Sequence, residues 1–160
     1  MSDARWLDVE ADAEASKRHF TRAVAIHRRG GFERDDLDGY VAAMALMHAM
    51  QAGYTALEAA LLKILDLLGE DAPGGGDWHR DLLRRCGREL GEPFRRPAIL
   101  DAATSADAEE ARRFRHRAAH SYDGFDPARA VPSVEAAERL ASSFPLAVER
   151  FRRTVDPEID

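Results

Sequence analysis

The segment from Phe114 to Tyr122, FRHRAAHSY, gathers guanidinium, imidazole and phenol groups within about two turns of a predicted helix. Arg115 offers a permanently charged, planar fork of donors that suits phosphate oxygens. His120 can give or take a proton near neutral pH. An arginine and a histidine are the minimum needed to cleave RNA without a metal ion, because RNA carries its own 2′-hydroxyl nucleophile. The segment therefore indicates phosphate chemistry.

Helix geometry limits what one copy of this segment can do. Arg115 and Tyr122 are seven residues apart and nearly eclipsed, whereas Arg115 and His120 are separated by roughly 140° around an ideal helix. The two side chains are too far apart to touch unless the long arginine swings toward the histidine. A single copy therefore looks incomplete as a catalytic site.

Two other interpretations of the segment stay open. Polar and cationic side chains near a helix C-terminus commonly interact with the last carbonyls and with the helix dipole. His116 and His120 also lie four residues apart on one face, a spacing that can chelate a transition metal. Because neither a nearby cysteine nor a Glu-x-x-His partner accompanies them, we expect no metal and no cofactor.

Three further residues are candidates for supporting roles or for the core. His79, next to Trp78, could line a nucleic-acid cleft or simply begin a helix with a packed tryptophan. Glu58 lies one turn after Tyr54 on the predicted inner side of a helix, where a buried carboxylate needs a partner, and it could orient an active-site arginine. Cys86, the single cysteine, is interpreted as a small core residue.

Composition predicts one domain, residues 1–160, with short flexible ends. The net charge is -6, but the segment between Trp78 and Arg117 contains ten arginines and only seven acidic residues. This basic centre could hold an RNA backbone, or it could be an ordinary solvated Arg/Glu surface. Neither a membrane span nor a secretion signal is evident, so we expect a cytoplasmic protein that does not bind membranes.

Helical periodicity extends over nearly the whole chain, and glycine and proline mark the breaks. It predicts an all-α fold, an antiparallel bundle of four to five helices. The second helix carries an apolar stripe with three-to-four spacing that begins at Leu37 and Tyr40, so this helix can be the spine of the bundle. The predicted helices run from about Leu7 to Arg29, from Asp35 or Asp38 to Leu68, from Asp77 to Leu90, from Ser105 or Asp107 to Gly124, and from Ser133 past Phe151.

The spacing Arg115, four residues, His120, one residue, Tyr122 resembles the R-x4-H-x-Y motif of HEPN-domain ribonuclease toxins, specifically the HepT-like family. Three more blocks are similar to one HepT-like subfamily: 54–58 (YTALE), 77–83 (DWHRDLL) and 96–100 (RPAIL). The resemblance covers most of the chain from about Tyr40 to Phe151. Each block is short, so the specificity lies in their order and spacing.

This resemblance implies a HEPN-like homodimer or larger homo-oligomer in which the motifs of two subunits meet. It implies a metal-independent endoribonuclease with Arg115 and His120 catalytic, and with His116, Glu58 and His79 in support. RNA is the expected substrate and DNA is not. It further implies the toxin of a type VII HepT/MNT toxin-antitoxin system, in which an MNT-type nucleotidyltransferase antitoxin transfers AMP to Tyr122 and silences the nuclease.

One position departs from the commonest form of the motif: His116 stands where many relatives have asparagine, although a histidine can still donate a hydrogen bond. The alternative function is a noncatalytic helical module that binds a nucleotidyltransferase and would tolerate His120→Ala. Nucleotide binding ranks last, because the glycines at 74–76 lack the Lys-Ser/Thr that completes a phosphate loop.

Overall fold

The computed structural model describes residues 3–120 and 124–157, and these residues form an all-helical bundle that contains no strand. The predicted fold class is confirmed. No helix in this part of the chain has the length and apolar character needed to cross a membrane. The five helices are α1 (Trp6–Arg29), α2 (Leu37–Leu67), α3 (Trp78–Cys86), α4 (Ala102–His120) and α5 (Pro127–Val155).

The longest helices, α1, α2 and α5, form the body of the bundle, with α4 packed on α5 and α2. Helix α1 packs tightly against α2 at Gly53, where an added Cβ would lie 2.6 Å from the ring of Phe20. The hydroxyl of Ser16 donates to the carbonyl of Gly53 over 2.9 Å. Glycine at this position therefore permits close packing of the two helices, which buries the aromatic ring between them.

Helix α2 begins and ends where local sequence predicts, but its first turns are not buried. The carboxylate of Asp36 accepts from the backbone N–H of Gly39 and caps the helix. Leu37 and Tyr40, at the start of the apolar stripe, are 75% and 63% exposed. Periodicity identifies an apolar face, but no described element covers this part of it.

Helix α3 is shorter than predicted, because it ends at Cys86 and not at Leu90. The carbonyl of Cys86 accepts from the N–H groups of Ile99 and Leu100 over 2.9 Å and 3.0 Å. That carbonyl would otherwise receive the N–H of Leu90 in a continuing helix. Leu90 instead pairs with Arg96 in an isolated antiparallel bridge. The thiol of Cys86 is buried, as predicted, and burial raises its pKa to about 12.

A buried ion pair joins the end of α2 to the segment that follows α3. Arg96 and Glu70 have side chains that are 3% and 4% exposed. The Nε and Nη2 atoms of Arg96 donate to the two carboxylate oxygens of Glu70 over 2.5 Å and 3.1 Å. Nη1 of Arg96 also donates to the carbonyls of Arg88 and Pro97, each over 3.2 Å. One side chain therefore organises this connection.

Helices α4 and α5 both begin earlier than predicted. Asp101 accepts from the N–H of Thr104 over 2.8 Å, a bond that holds the pKa of this carboxyl below its usual range, and α4 starts at Ala102. Asp126 accepts from the N–H of Ala128, so α5 starts at Pro127. Ser133, the predicted cap, is instead buried inside α5 and donates to Glu110.

We expect Arg96→Met to lower the free energy of unfolding by about 3 kcal/mol, because it leaves the carboxylate of Glu70 buried without its partner. The matched control is Arg95→Met, which removes only an exposed pair with Glu92 and should cost less than about 1 kcal/mol. Urea denaturation measures both. Equal losses would show that the buried pair does not have the structural role assigned to it.

Candidate functional site

A depression between α2, α3 and α4 brings together most of the residues singled out in the sequence. His79 enters from α3, and Arg115, His116 and His120 enter from α4. A single chain therefore assembles three imidazoles and, with Arg112, two guanidinium groups. Tyr122 falls at 121–123, outside the described residues. The other lining residues are Gln51, Thr55, Gly76, Arg112 and Ala119.

Glu58 and His79 form a carboxylate–imidazole pair at the back of this depression. The Glu58 side chain is 5% exposed, and its Oε2 atom contacts Nδ1 of His79. Since a carboxylate only accepts, Nδ1 of His79 carries the hydrogen of this bond. We expected an arginine as the direct partner of Glu58, but the partner is the imidazole. Glu58 reaches Arg115 only through His79.

His79 lines the depression and also belongs to a packed helix start. The indole of Trp78 stacks on its ring, with centroids 3.7 Å apart and planes inclined by 29°. The side chain of His79 is 27% exposed. Stacking and the bond to Glu58 together fix the orientation of the ring, so Nε2 has a defined position.

Arg115 is held by aromatic rings. Its Nη1 atom lies 3.3 Å from Nε2 and 3.5 Å from Nδ1 of His79. Two nearly equal distances place this nitrogen over the face of the imidazole, away from the lone-pair direction of either ring nitrogen. The Cζ atom of Arg115 also lies 5.8 Å from the centroid of the Tyr54 ring. These contacts position the guanidinium without neutralising its charge.

Within the described residues, no carboxylate lies at ion-pair distance from Arg115. Its neighbours on α4 differ: Arg112 binds Glu109, and Arg117 binds Glu110. Seven of the ten arginines between Trp78 and Arg117 have a carboxylate partner, so the basic centre is largely self-neutralised. The positive charge available for an anion in the depression is concentrated at Arg115.

Tyr54 supports the site from inside the bundle. It is fully buried on α2, and burial, followed by the nearby carboxylate of Glu58, raises the pKa of its phenol. The phenol therefore stays neutral at all physiological pH values, so its ring is a fixed support beneath Arg115 and takes no part in proton transfer.

His116 and His120 are exposed and touch each other edge to face, with ring centroids 4.6 Å apart. No hydrogen bond joins Arg115 to His120 in the described part of the chain, although both line the depression. The described residues contain no group of three or more histidine, cysteine or carboxylate side chains arranged for a metal ion. The two-histidine chelate therefore gains no third ligand there.

Three polar lining residues were not singled out as site residues in the sequence: Gln51, Thr55 and Arg112. Their positions in the sequence could have indicated a polar site. Gln51 and Thr55 are four residues apart and interrupt an otherwise apolar face of α2. Arg112 precedes Arg115 by three residues on α4. Such interruptions mark the part of a long helix that faces a polar site.

A sequence profile of the HepT-like protein family matches residues 45–155, which include every described residue of the depression. The chain belongs to the HepT-like family. The resemblance inferred from the motif and the three blocks is thereby confirmed. A search of curated proteins and a search of solved structures found no match.

The geometry predicts an imidazole N–H signal for His79 that is shifted downfield and exchanges slowly, because its hydrogen is bonded to a buried carboxylate. Proton NMR of ¹⁵N-labelled protein should show this signal in the wild type and lose it in Glu58→Leu and His79→Asn. His120→Ala, which changes an exposed ring, is the control and should retain it. A signal that survives in Glu58→Leu would contradict the assigned bond.

Proposed function

We propose that this HepT-like protein is a metal-independent endoribonuclease and the toxin of a type VII HepT/MNT toxin-antitoxin system. The proposal is supported mainly by the position of Arg115, which lines the same depression as His120. Among the described residues, Arg115 has no carboxylate partner, unlike its neighbour Arg112. An arginine held by aromatic rings, and not by a carboxylate, keeps its full charge for a phosphate. Its position and type match the arginine of the family motif.

In the proposed reaction, the guanidinium of Arg115 binds the oxygens of the scissile phosphate and stabilises the charge that develops there. The 2′-hydroxyl of the preceding ribose attacks phosphorus, and the bond to the 5′-oxygen breaks. His120 acts as general base or general acid in this exchange. The products are a 2′,3′-cyclic phosphate and a 5′-hydroxyl. DNA lacks the nucleophile and is not a substrate.

We also propose that the active form is a homodimer or a larger homo-oligomer. Two observations support this: His120 is exposed and unattached to Arg115, and apolar side chains at the start of α2 are uncovered. Leu37, Tyr40 and Val41 are all more than half exposed. Exposed apolar surface of this kind favours a protein contact. A second copy would bring its own α4 motif near the first.

Tyr122 is the proposed acceptor of AMP from an MNT-type nucleotidyltransferase antitoxin. It follows Arg115 by seven residues in the sequence, which is the spacing of the family motif. An adenylate there would add bulk and negative charge beside the phosphate-binding guanidinium. RNA would then be both excluded and repelled. The proposed compartment is the cytoplasm, where RNA is available.

The second candidate function is a noncatalytic helical module that binds a nucleotidyltransferase. His116 favours it, because asparagine is the commoner residue at this position of the motif. In this alternative the fold and the partner are unchanged, and only the chemistry is absent. Activity therefore separates the two functions.

We expect the wild type to cut an end-labelled structured RNA in EDTA and to leave 2′,3′-cyclic phosphate ends. His120→Ala should lower the rate at least about 100-fold, because it removes a proton-transfer group. Arg115→Ala should lower it about 100-fold or more, because it removes stabilisation of the phosphate charge. Arg113→Ala, an exposed neighbour that pairs with Glu109, is the matched control and should leave the rate near that of the wild type.

Equal rates for the wild type and His120→Ala would eliminate the proposed mechanism. A complete failure of wild-type protein without AMP on Tyr122 to cut several structured RNAs would favour the binding module. Cleavage that stops in EDTA would contradict the metal-independent reaction.

We expect an MNT-type nucleotidyltransferase with ATP to add the mass of one AMP to the wild type and to abolish cleavage. Tyr122→Phe should remain unmodified and active. Tyr40→Phe is the control, because Tyr40 is exposed to solvent whereas Tyr54 is buried. Intact-mass and peptide mass spectrometry locate the adenylate. Adenylation that persists in Tyr122→Phe and disappears in Tyr40→Phe would overturn this assignment.

A further inference from the structure

Cleavage of RNA by its 2′-hydroxyl moves two protons, one away from the nucleophile and one onto the leaving 5′-oxygen. His120 can perform only one of these transfers in a single step, so a second group is required. The assignment of this second group to a side chain of this chain rests on the proposed nuclease.

We propose that His79 is the general acid that protonates the 5′-oxygen, with Glu58 as its positioning residue. Three imidazoles line the depression, and His79 is the one in a fixed orientation. Glu58 binds Nδ1, Trp78 stacks on the ring, and Nε2 remains available on the side of Arg115. Proton transfer depends on such fixed placement of the donor atom.

His116 does not meet these requirements. Its ring is exposed, and the contact it makes is with His120, which is exposed too. No carboxylate of the described residues lies at ion-pair distance from either ring. His79, by contrast, is directed from behind by a carboxylate that is itself buried. The structure therefore separates one imidazole held by a buried carboxylate from two exposed ones.

The charged groups around His79 are compatible with a role as general acid. The carboxylate of Glu58 stabilises the imidazolium through Nδ1–H, the same arrangement by which a buried carboxylate supports a charged catalytic histidine elsewhere. Arg115 lies over the ring and opposes this positive charge while the site is empty. A phosphate bound by Arg115 adds a negative charge, so two anions then balance two cations.

The step balances without another reactant. The 2′-oxygen forms its bond to phosphorus as its proton passes to His120. The bond between phosphorus and the 5′-oxygen breaks, its electron pair stays on that oxygen, and the proton of Nε2 of His79 joins it. His79 ends neutral with Nδ1–H still bonded to Glu58, and His120 ends protonated. Exchange with water restores both.

The test compares the wild type, His79→Asn and His120→Ala on two RNAs that differ at the mapped cleavage site. One RNA has the ordinary 5′-oxygen, and the other has a bridging 5′-sulfur, which leaves as a thiolate without needing a proton. Asparagine can still donate to Glu58 in place of Nδ1 but offers no acid at the position of Nε2. His48→Asn, a change to an exposed histidine on α2, is the control and should match the wild type on both RNAs.

We expect His79→Asn to slow cleavage of the ordinary RNA about 100-fold or more, and to cut the sulfur-bridged RNA within about threefold of the wild-type rate. His120→Ala should remain slow on both RNAs, because the lost base is not replaced by a better leaving group. Glu58→Gln retains an acceptor for Nδ1 but loses the charge, so it should show a smaller defect that sulfur also rescues. This second variant provides the test if His79→Asn does not fold.

The outcomes distinguish this inference from the proposed function. If the wild type and a folded His79→Asn cut the ordinary RNA at similar rates, the acid role of His79 is overturned and the nuclease stands. The acid role is also overturned if His79→Asn is slow on both RNAs to the same extent, which would indicate positioning only. If the wild type cuts neither RNA, the proposed nuclease fails and this inference fails with it.

Discussion

Two buried carboxylates, Glu58 within α2 and Glu70 just beyond it, determine where α3 lies. A nine-residue helix has little stability of its own in water. Its first turn is held by the bond from His79 to Glu58, and its last turn by Arg96, which binds Glu70 and also donates to the carbonyl of Arg85. Burying these carboxylates is unfavourable unless each has its cation or donor in place. The depression at α4 exists because both contacts are made.

Local signals in the sequence predicted the features that depend on neighbouring residues. The end of α1 lies at the glycine pair 30–31, and α2 begins between the two predicted starts, Asp35 and Asp38, with Asp36 as its cap. The end of α3 could not be predicted from neighbouring residues, because the carbonyl of Cys86 accepts from the backbone N–H groups of Ile99 and Leu100, which lie in another segment. The burial of Glu58 was predictable from helical spacing. Its partner was not, since it comes from a different helix.

The distribution of charge also required the structure. Counting ten arginines between Trp78 and Arg117 suggests a broad basic surface, but most of those side chains bind carboxylates nearby. Arg115 is distinct because Tyr54 and His79 hold it through their rings and leave its charge intact. On a chain with net charge -6, one unneutralised guanidinium in a polar depression favours an anion at that point without favouring nucleic acid over the whole surface.

The site thus has a rigid half and an exposed half. Glu58, His79 and Arg115 are fixed by burial, stacking and hydrogen bonds, whereas His116 and His120 lie at the exposed end of α4. In the proposed nuclease the rigid half binds the phosphate and delivers a proton, and the exposed half must be ordered by RNA or by a second copy. In this proposal, an adenylate on Tyr122, seven residues after Arg115 in the sequence, would oppose the charge of Arg115 and block RNA. It would do so without requiring any change in the buried contacts of Glu58 and Tyr54, so inhibition need not disturb the bundle.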